Sequence, residues 1–163
     1  MLVRTTAIIV KPPREIWTLL CNSQMDARIP LPFRFGIPKP VECRLPSGVG
    51  GAGQQRQCIS NLGTINQRIT LWEEDKTLMF EMIDTDMYFG RHVTSIKERF
   101  DLAGEGERNT KITRTTDFKV KGRAGIFKSL MVWVGLKSVH HYVFRIGADR
   151  ESTVCLNACK KKS

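Results

Sequence analysis

Between residues 92 and 120 the stretch HVTSIKERFDLAGEGERNTKITRTTDFKV alternates apolar and polar positions on either side of a glycine-rich turn. This predicts two strands. Thr94, Ile96, Glu98, Phe100 and Leu102 share one face of the first, with Ser95, Lys97, Arg99 and Asp101 opposite them. Ile112, Arg114, Thr116, Phe118 and Val120 share a face of the second. Each largely apolar face carries one charge, Glu98 or Arg114. Pairing Leu102 with Thr110 and Phe100 with Ile112 sets Glu98 directly across from Arg114, and Ile96 across from Thr116. Upstream, the turn signals NLG (61–63) and EEDK (73–76) bound strands over 64–72 and 77–84. Pairing Leu71 with Leu78 there also sets Ile69 opposite Phe80 and Gln67 opposite Met82.

The chain opens on LVRTTAIIVK, which reads as a strand, followed by PPREIWTLLCN, which reads as a helix. Pro13 suits a first helical turn, and Ile16, Leu19 and Leu20 form its apolar stripe. Residues 23–40, SQMDARIPLPFRFGIPKP, predict a short helix near 25–28 and then a run of prolines that excludes regular structure. VECRL and QQRQCIS read as strands around the glycine turn PSGVGGAG. Beyond KGRAG the period changes. Val132, Leu136, Val139, Val143 and Ile146 recur at spacings of 4, 3, 4 and 3, one apolar stripe on a helix over 124–148. The expected class is α+β, with about seven antiparallel strands and a long C-terminal helix.

This order, and the text of three segments, resembles the helix-grip fold of the START, polyketide cyclase and pollen-allergen superfamily (SRPBCC). The segments are IIVKPPREIWTLLCN, GTINQRITLWEEDKTLMFEM and TKITRTTDFKV. The resemblance implies a curved antiparallel sheet wrapped around the C-terminal helix, with one or two short helices after the first strand and a ligand cavity between sheet and helix. It spans nearly the whole chain, but its motifs are structural. The family has no universal active site, so no catalytic residue is carried over. The sequence departs from the family pattern over residues 25–46. That stretch and MYFGRH (87–92) are expected to shape the cavity mouth.

Composition narrows the picture. The 163 residues are 41% hydrophobic and 26% charged, which fits one domain over 1–163 with residues 151–163 as a flexible basic tail. The net charge of +10 admits a nucleic acid, an anionic membrane surface or an acidic ligand. Basic residues are dispersed from Arg4 to Lys162, and the one run is Lys160, Lys161 and Lys162. No nucleic-acid partner is therefore expected, while peripheral membrane contact stays open. The opening residues lack the apolar core of a signal peptide. The five cysteines are odd in number and irregularly spaced. Reduced thiols in a cytoplasmic protein are the expectation. Cys155 and Cys159 make a lone C-x3-C that falls short of a zinc ligand set, so neither metal nor cofactor is expected.

If the concave face is the apolar one, parity assigns its wall to Ile65, Gln67, Ile69, Leu71, Leu78, Phe80 and Met82. From the later hairpin it adds Thr94, Ile96, Glu98, Phe100, Ile112, Arg114, Thr116 and Phe118. Gln55, Gln57 and Ile59 join them if the 61–63 turn is tight. From the helix, Trp133, Leu136 and His140 face the same space, while Lys137 and His141 point away and His92 sits on the rim. For each aliphatic residue the plain alternative is core packing. Glu98 and Arg114 admit three roles: a structural ion pair, an anchor for a ligand's polar end, or catalysis. The adjacent arginine favours the charged carboxylate, so Glu98 suits holding a ligand better than moving a proton. Function therefore reads first as binding of a hydrophobic or amphipathic small molecule. An enzyme of the polyketide cyclase or aromatase type comes second, and a lipid carrier at anionic membrane surfaces third.

Overall fold

Pro12 and Pro13 end the first strand and start the first helix. In the computed structural model, which describes residues 1–25, 29–106, 108–122 and 125–148, β1 spans Leu2–Ile9 and α1 spans Pro13–Cys21. Pro13 occupies the first turn of α1, where its missing N–H would have had no partner. The short β2 (Ser23–Gln24), β3 (Pro40–Arg44), β4 (Gln55–Ser60), β5 (Gly63–Glu73), β6 (Thr77–Thr85), β7 (Val93–Glu105) and β8 (Asn109–Val120) follow, and α2 (Gly125–Ala148) closes the described chain. The strands form one antiparallel sheet in the order β1-β8-β7-β6-β5-β4-β3-β2.

β-Bulges interrupt the ladders and change one expected pairing and one expected face; such bulges sharpen local twist and bend a strand. Between β5 and β6, Gln67 faces Met82 and Ile69 faces Phe80 as expected, but a bulge after Ile69 sets Leu71 against Met79 and Trp72 against Leu78. Trp72 thereby reaches the core edge-on to Trp17, with ring centroids 4.9 Å apart. Gly50 lies against the Trp72 ring, where a Cβ would collide with it. In β7 a bulge between Val93 and Ser95 turns Val93 inward and leaves Thr94 exposed, its hydroxyl donating to the Lys119 carbonyl. The wall position given to Thr94 by strict alternation is therefore incorrect.

The β7–β8 hairpin closes tightly, pairing Glu105 with Asn109 around a turn in which Gly106 has φ +75°. Phe100 consequently faces Arg114, and Glu98 faces Thr116. Glu98 and Arg114 are thus diagonal neighbours, not directly opposed. The register differs from the expected one by two residues, and an even shift leaves every side chain on its original face.

Two clusters form the core. Ile9, Ile16, Trp17, Leu20, Ile69, Leu78 and Phe100 belong to the larger, beneath α1, and Val3, Val93, Ile96 and Phe118 form the smaller. α2 packs on β1 and β8. Its buried residues are His140, Tyr142 and Phe144. The Val132, Leu136, Val139 and Val143 stripe is half-buried. The proline-rich stretch is not wholly irregular: a 3-10 turn, Leu31–Phe35, buries Phe33 edge-on against Tyr142. Three of the four positions expected to form a short helix, 26–28, and the 151–163 tail lie outside the described residues.

The expectation of reduced thiols is overturned at one pair. Cys43 and Cys58 sit opposite each other on β3 and β4 and are joined by a disulfide. Facing positions on adjacent strands bring the two sulfurs together, which sequence spacing does not disclose. Cys21 is buried and is not part of that bridge.

Candidate functional site

Bent strands and a helix that packs at one side of the sheet leave space between them. A cavity of about 390 Å³ lies there. Its lining from α2 includes Val132, Leu136, Val139, Val143 and Ile146, the stripe read from the helical period, together with Gly135. Phe35, Ile37 and Pro38 from the proline-rich stretch and Met87 and Phe89 before β7 also line it. Phe35 and Met131 line the cavity yet are 80% and 62% exposed, which places them at its opening.

Among the residues expected at the site, Ile65, Gln67, Phe80, Ile96, Glu98, Phe100, Ile112, Arg114 and Leu136 line the cavity. The others lie elsewhere. Ile69 is buried in the larger core cluster. Met82, Phe118 and Trp133 pack in or against the smaller one, and Thr94 is exposed. Thr116 and His140 are buried behind the wall, bonded to each other.

The two charges on the apolar faces meet. Arg114 Nε donates to Glu98 Oε2 at 2.9 Å and Nη2 donates to Oε1 at 2.7 Å, a bidentate and buried pair. The Arg114 guanidinium also lies 5.1 Å from the Phe100 ring centroid.

His140 is fully enclosed, at 0% exposure. Its Nε2 is 2.8 Å from Thr116 Oγ1 and its Nδ1 is 3.1 Å from Thr5 Oγ1. Burial, reinforced by the charges of Arg114, Lys137 and His141, pushes its pKa down to about 2. It is therefore neutral when folded, whereas the unfolded side chain takes up a proton below about pH 6.5. The unfolded state then binds more protons, so stability present above pH 6.5 is lost as the pH falls. Chemical denaturation is expected to show a loss of about 2 kcal/mol between pH 7 and pH 5. In His140→Gln this acid loss should shrink to that of the remaining groups.

The charged wall residue on β4 escaped sequence reasoning. The two-residue turn at Asn61 and Leu62 pairs Ser60 with Gly63 and so places Arg56, not Gln55 or Gln57, opposite Gln67. Ile59, beside the turn, does line the cavity. Gln57 instead bonds Arg44 and Asn66, and Gln55 is exposed. Counting residue pairs outward from that turn would have found Arg56. Its guanidinium lies 4.4 Å from the Phe80 centroid. Burial pushes its pKa down to about 10, with Glu98 and Cys21 opposing and Arg114 adding to the shift, so it stays cationic at neutral pH. Among the described residues no group of three or more His, Cys, Asp or Glu side chains converges as a metal site would require, and no helix is long and apolar enough to cross a membrane.

No protein-family model matches the sequence, and neither does any curated protein. Solved structures do match. A START superfamily protein from Mycobacterium smegmatis superposes with a TM-score of 0.60 at 15% identity, covering 88% of this chain and 92% of that one. Ginseng major latex-like protein 151 from Panax ginseng gives 0.55 at 11%, covering 88% and 96%. The Zhui aromatase/cyclase from Streptomyces sp. R1128 gives 0.52 at 13%, covering 92% and 99%. The strand order, the closing helix and these likenesses together show that the chain adopts the START-like helix-grip fold.

Proposed function

We propose that the protein binds a hydrophobic or amphipathic small molecule in the cavity between sheet and α2. The composition of the wall carries this reading. Protein interiors are normally filled to crystal-like density. Here about 390 Å³ is bounded mainly by aliphatic and aromatic side chains, with a few polar groups that converge on it. That is the form of a small-molecule site. The test is occupancy: native mass spectrometry of the chain purified from its own host should find an apolar or amphipathic molecule that leaves on denaturation.

Two further readings have an observation behind them. A reaction of the cyclase or aromatase type is suggested by the likeness to the Zhui aromatase/cyclase. It is the weaker reading because His140 is enclosed by two threonines and Arg114 is engaged by Glu98. A carrier acting at anionic membranes is supported by Phe35 and Met131 at the opening and by the net charge of +10. Dispersed basic residues leave nucleic acid outside the proposal. A cytoplasmic location now faces an opposing observation in the Cys43–Cys58 bridge, because disulfides persist mainly in oxidising compartments.

A further inference from the structure

The cavity wall holds two arginines whose charges are met differently. Arg114 is matched by Glu98. Arg56, 5% exposed, has only neutral hydrogen-bond partners among the described residues: its Nη1 donates to Gln67 Oε1 at 2.6 Å and to Cys58 Sγ at 3.0 Å, and its Nη2 to the Leu20 carbonyl at 3.1 Å. Its Nε is buried and meets no acceptor among the described residues. Two guanidiniums against one carboxylate leave this part of the wall with an excess positive charge in a poorly hydrated setting, where such charge is costly unless neutralised.

Gln67 shows where a neutralising group would sit. A guanidinium is donor only, so the 2.6 Å contact fixes the Gln67 carbonyl oxygen toward Arg56 and its amide nitrogen away from it. Gln67 is 4% exposed and lines the cavity, and among the described residues its side chain makes one hydrogen bond, the one its carbonyl oxygen accepts from Arg56. A held N–H donor therefore stands beside a cation that hydrogen-bonds to no carboxylate among the described residues. An oxygen that accepts a hydrogen bond and carries negative charge satisfies both; a hydroxyl satisfies only the first.

We infer that Gln67 and Arg56 form a subsite for a carboxylate, so that the ligand is an amphipathic acid whose apolar body lies among Phe80, Ile96, Phe100 and Leu136. Here the Gln67 amide makes the direct contact, and Arg56 orients that amide and supplies the field. Glu98 makes the Arg114 side of the wall a poor place for a second anion. This inference rests on the proposed small-molecule site and adds the charge of its occupant.

The experiment compares decanoate with decan-1-ol, which share an apolar body, by calorimetric titration against the native chain and Gln67→Glu. That variant keeps an acceptor for Arg56, and so favours folding, but removes the N–H donor and neutralises the cation. The native chain is expected to bind decanoate about tenfold or more tighter than decan-1-ol, and Gln67→Glu to lose that preference. Equal affinity of the native chain for the two compounds would overturn the carboxylate subsite while leaving the cavity reading intact. So would a preference that survives in Gln67→Glu. If neither compound binds the native chain, both readings fall.

Discussion

Arg114→Ala is expected to lower the stability of the fold by about 3–5 kcal/mol, the loss typical of removing one partner from a buried ion pair. Glu98 and Arg114 are both nearly inaccessible, and the guanidinium supplies both hydrogen bonds that the carboxylate receives. The truncation leaves a buried carboxylate with both of these donors gone, and Arg56, which acts on Glu98 through its field, is held by neutral partners of its own. Glu98→Gln should be milder, because the amide oxygen still accepts from the guanidinium. Urea unfolding of the three proteins reads the difference. A loss below about 1 kcal/mol for Arg114→Ala would mean that water or a ligand hydrates the carboxylate, and that the pair belongs to an open site.

Removing the Cys43–Cys58 bridge is the second change of this size. The two residues are 15 apart in sequence, and closing a loop of that length stabilises a fold by about 3 kcal/mol in the chain-entropy account. Cys43→Ser/Cys58→Ser is expected to lose up to that amount, with the loss appearing equally when the native chain is reduced. Alkylation of the denatured, unreduced chain should leave both cysteines unmodified. Modification of both would show that the bridge is not formed in the isolated protein.

What was legible in the sequence follows from which rules are local. Periods of two and of about 3.6 residues depend on nearest neighbours along the chain, so strand faces and the α2 stripe could be read directly. Registers depend on loop length and bulges, which alternation does not encode. Glu98 and Arg114 kept their faces because the register differed by an even number of residues, whereas Thr94 lost its face to a single extra residue in β7. Trp72 entered the core by the same device. Arg56 was hidden for a different reason: a charged residue in QQRQCIS gives no periodic signal, and only the two-residue turn fixes its face. His140 and Thr116 share the inner side with the wall residues but pack against each other, an arrangement decided by how closely α2 approaches β8. The disulfide joins positions that are neighbours across the sheet only.

Gly135 offers the most direct test of the cavity as a binding site. It lies within α2, lines the cavity, and a Cβ built there meets no atom within 4 Å beyond its chain neighbours and its own helix backbone. Leucine at this position fills the space from the helix side, and it improves helix propensity by roughly 0.8 kcal/mol over glycine. Native mass spectrometry of wild type and Gly135→Leu, both purified from the protein's own host, is the measurement. A bound molecule on wild type that is absent from a variant of equal or higher melting temperature is the predicted result. The same molecule on both proteins, or none on wild type, would contradict a binding site between sheet and helix.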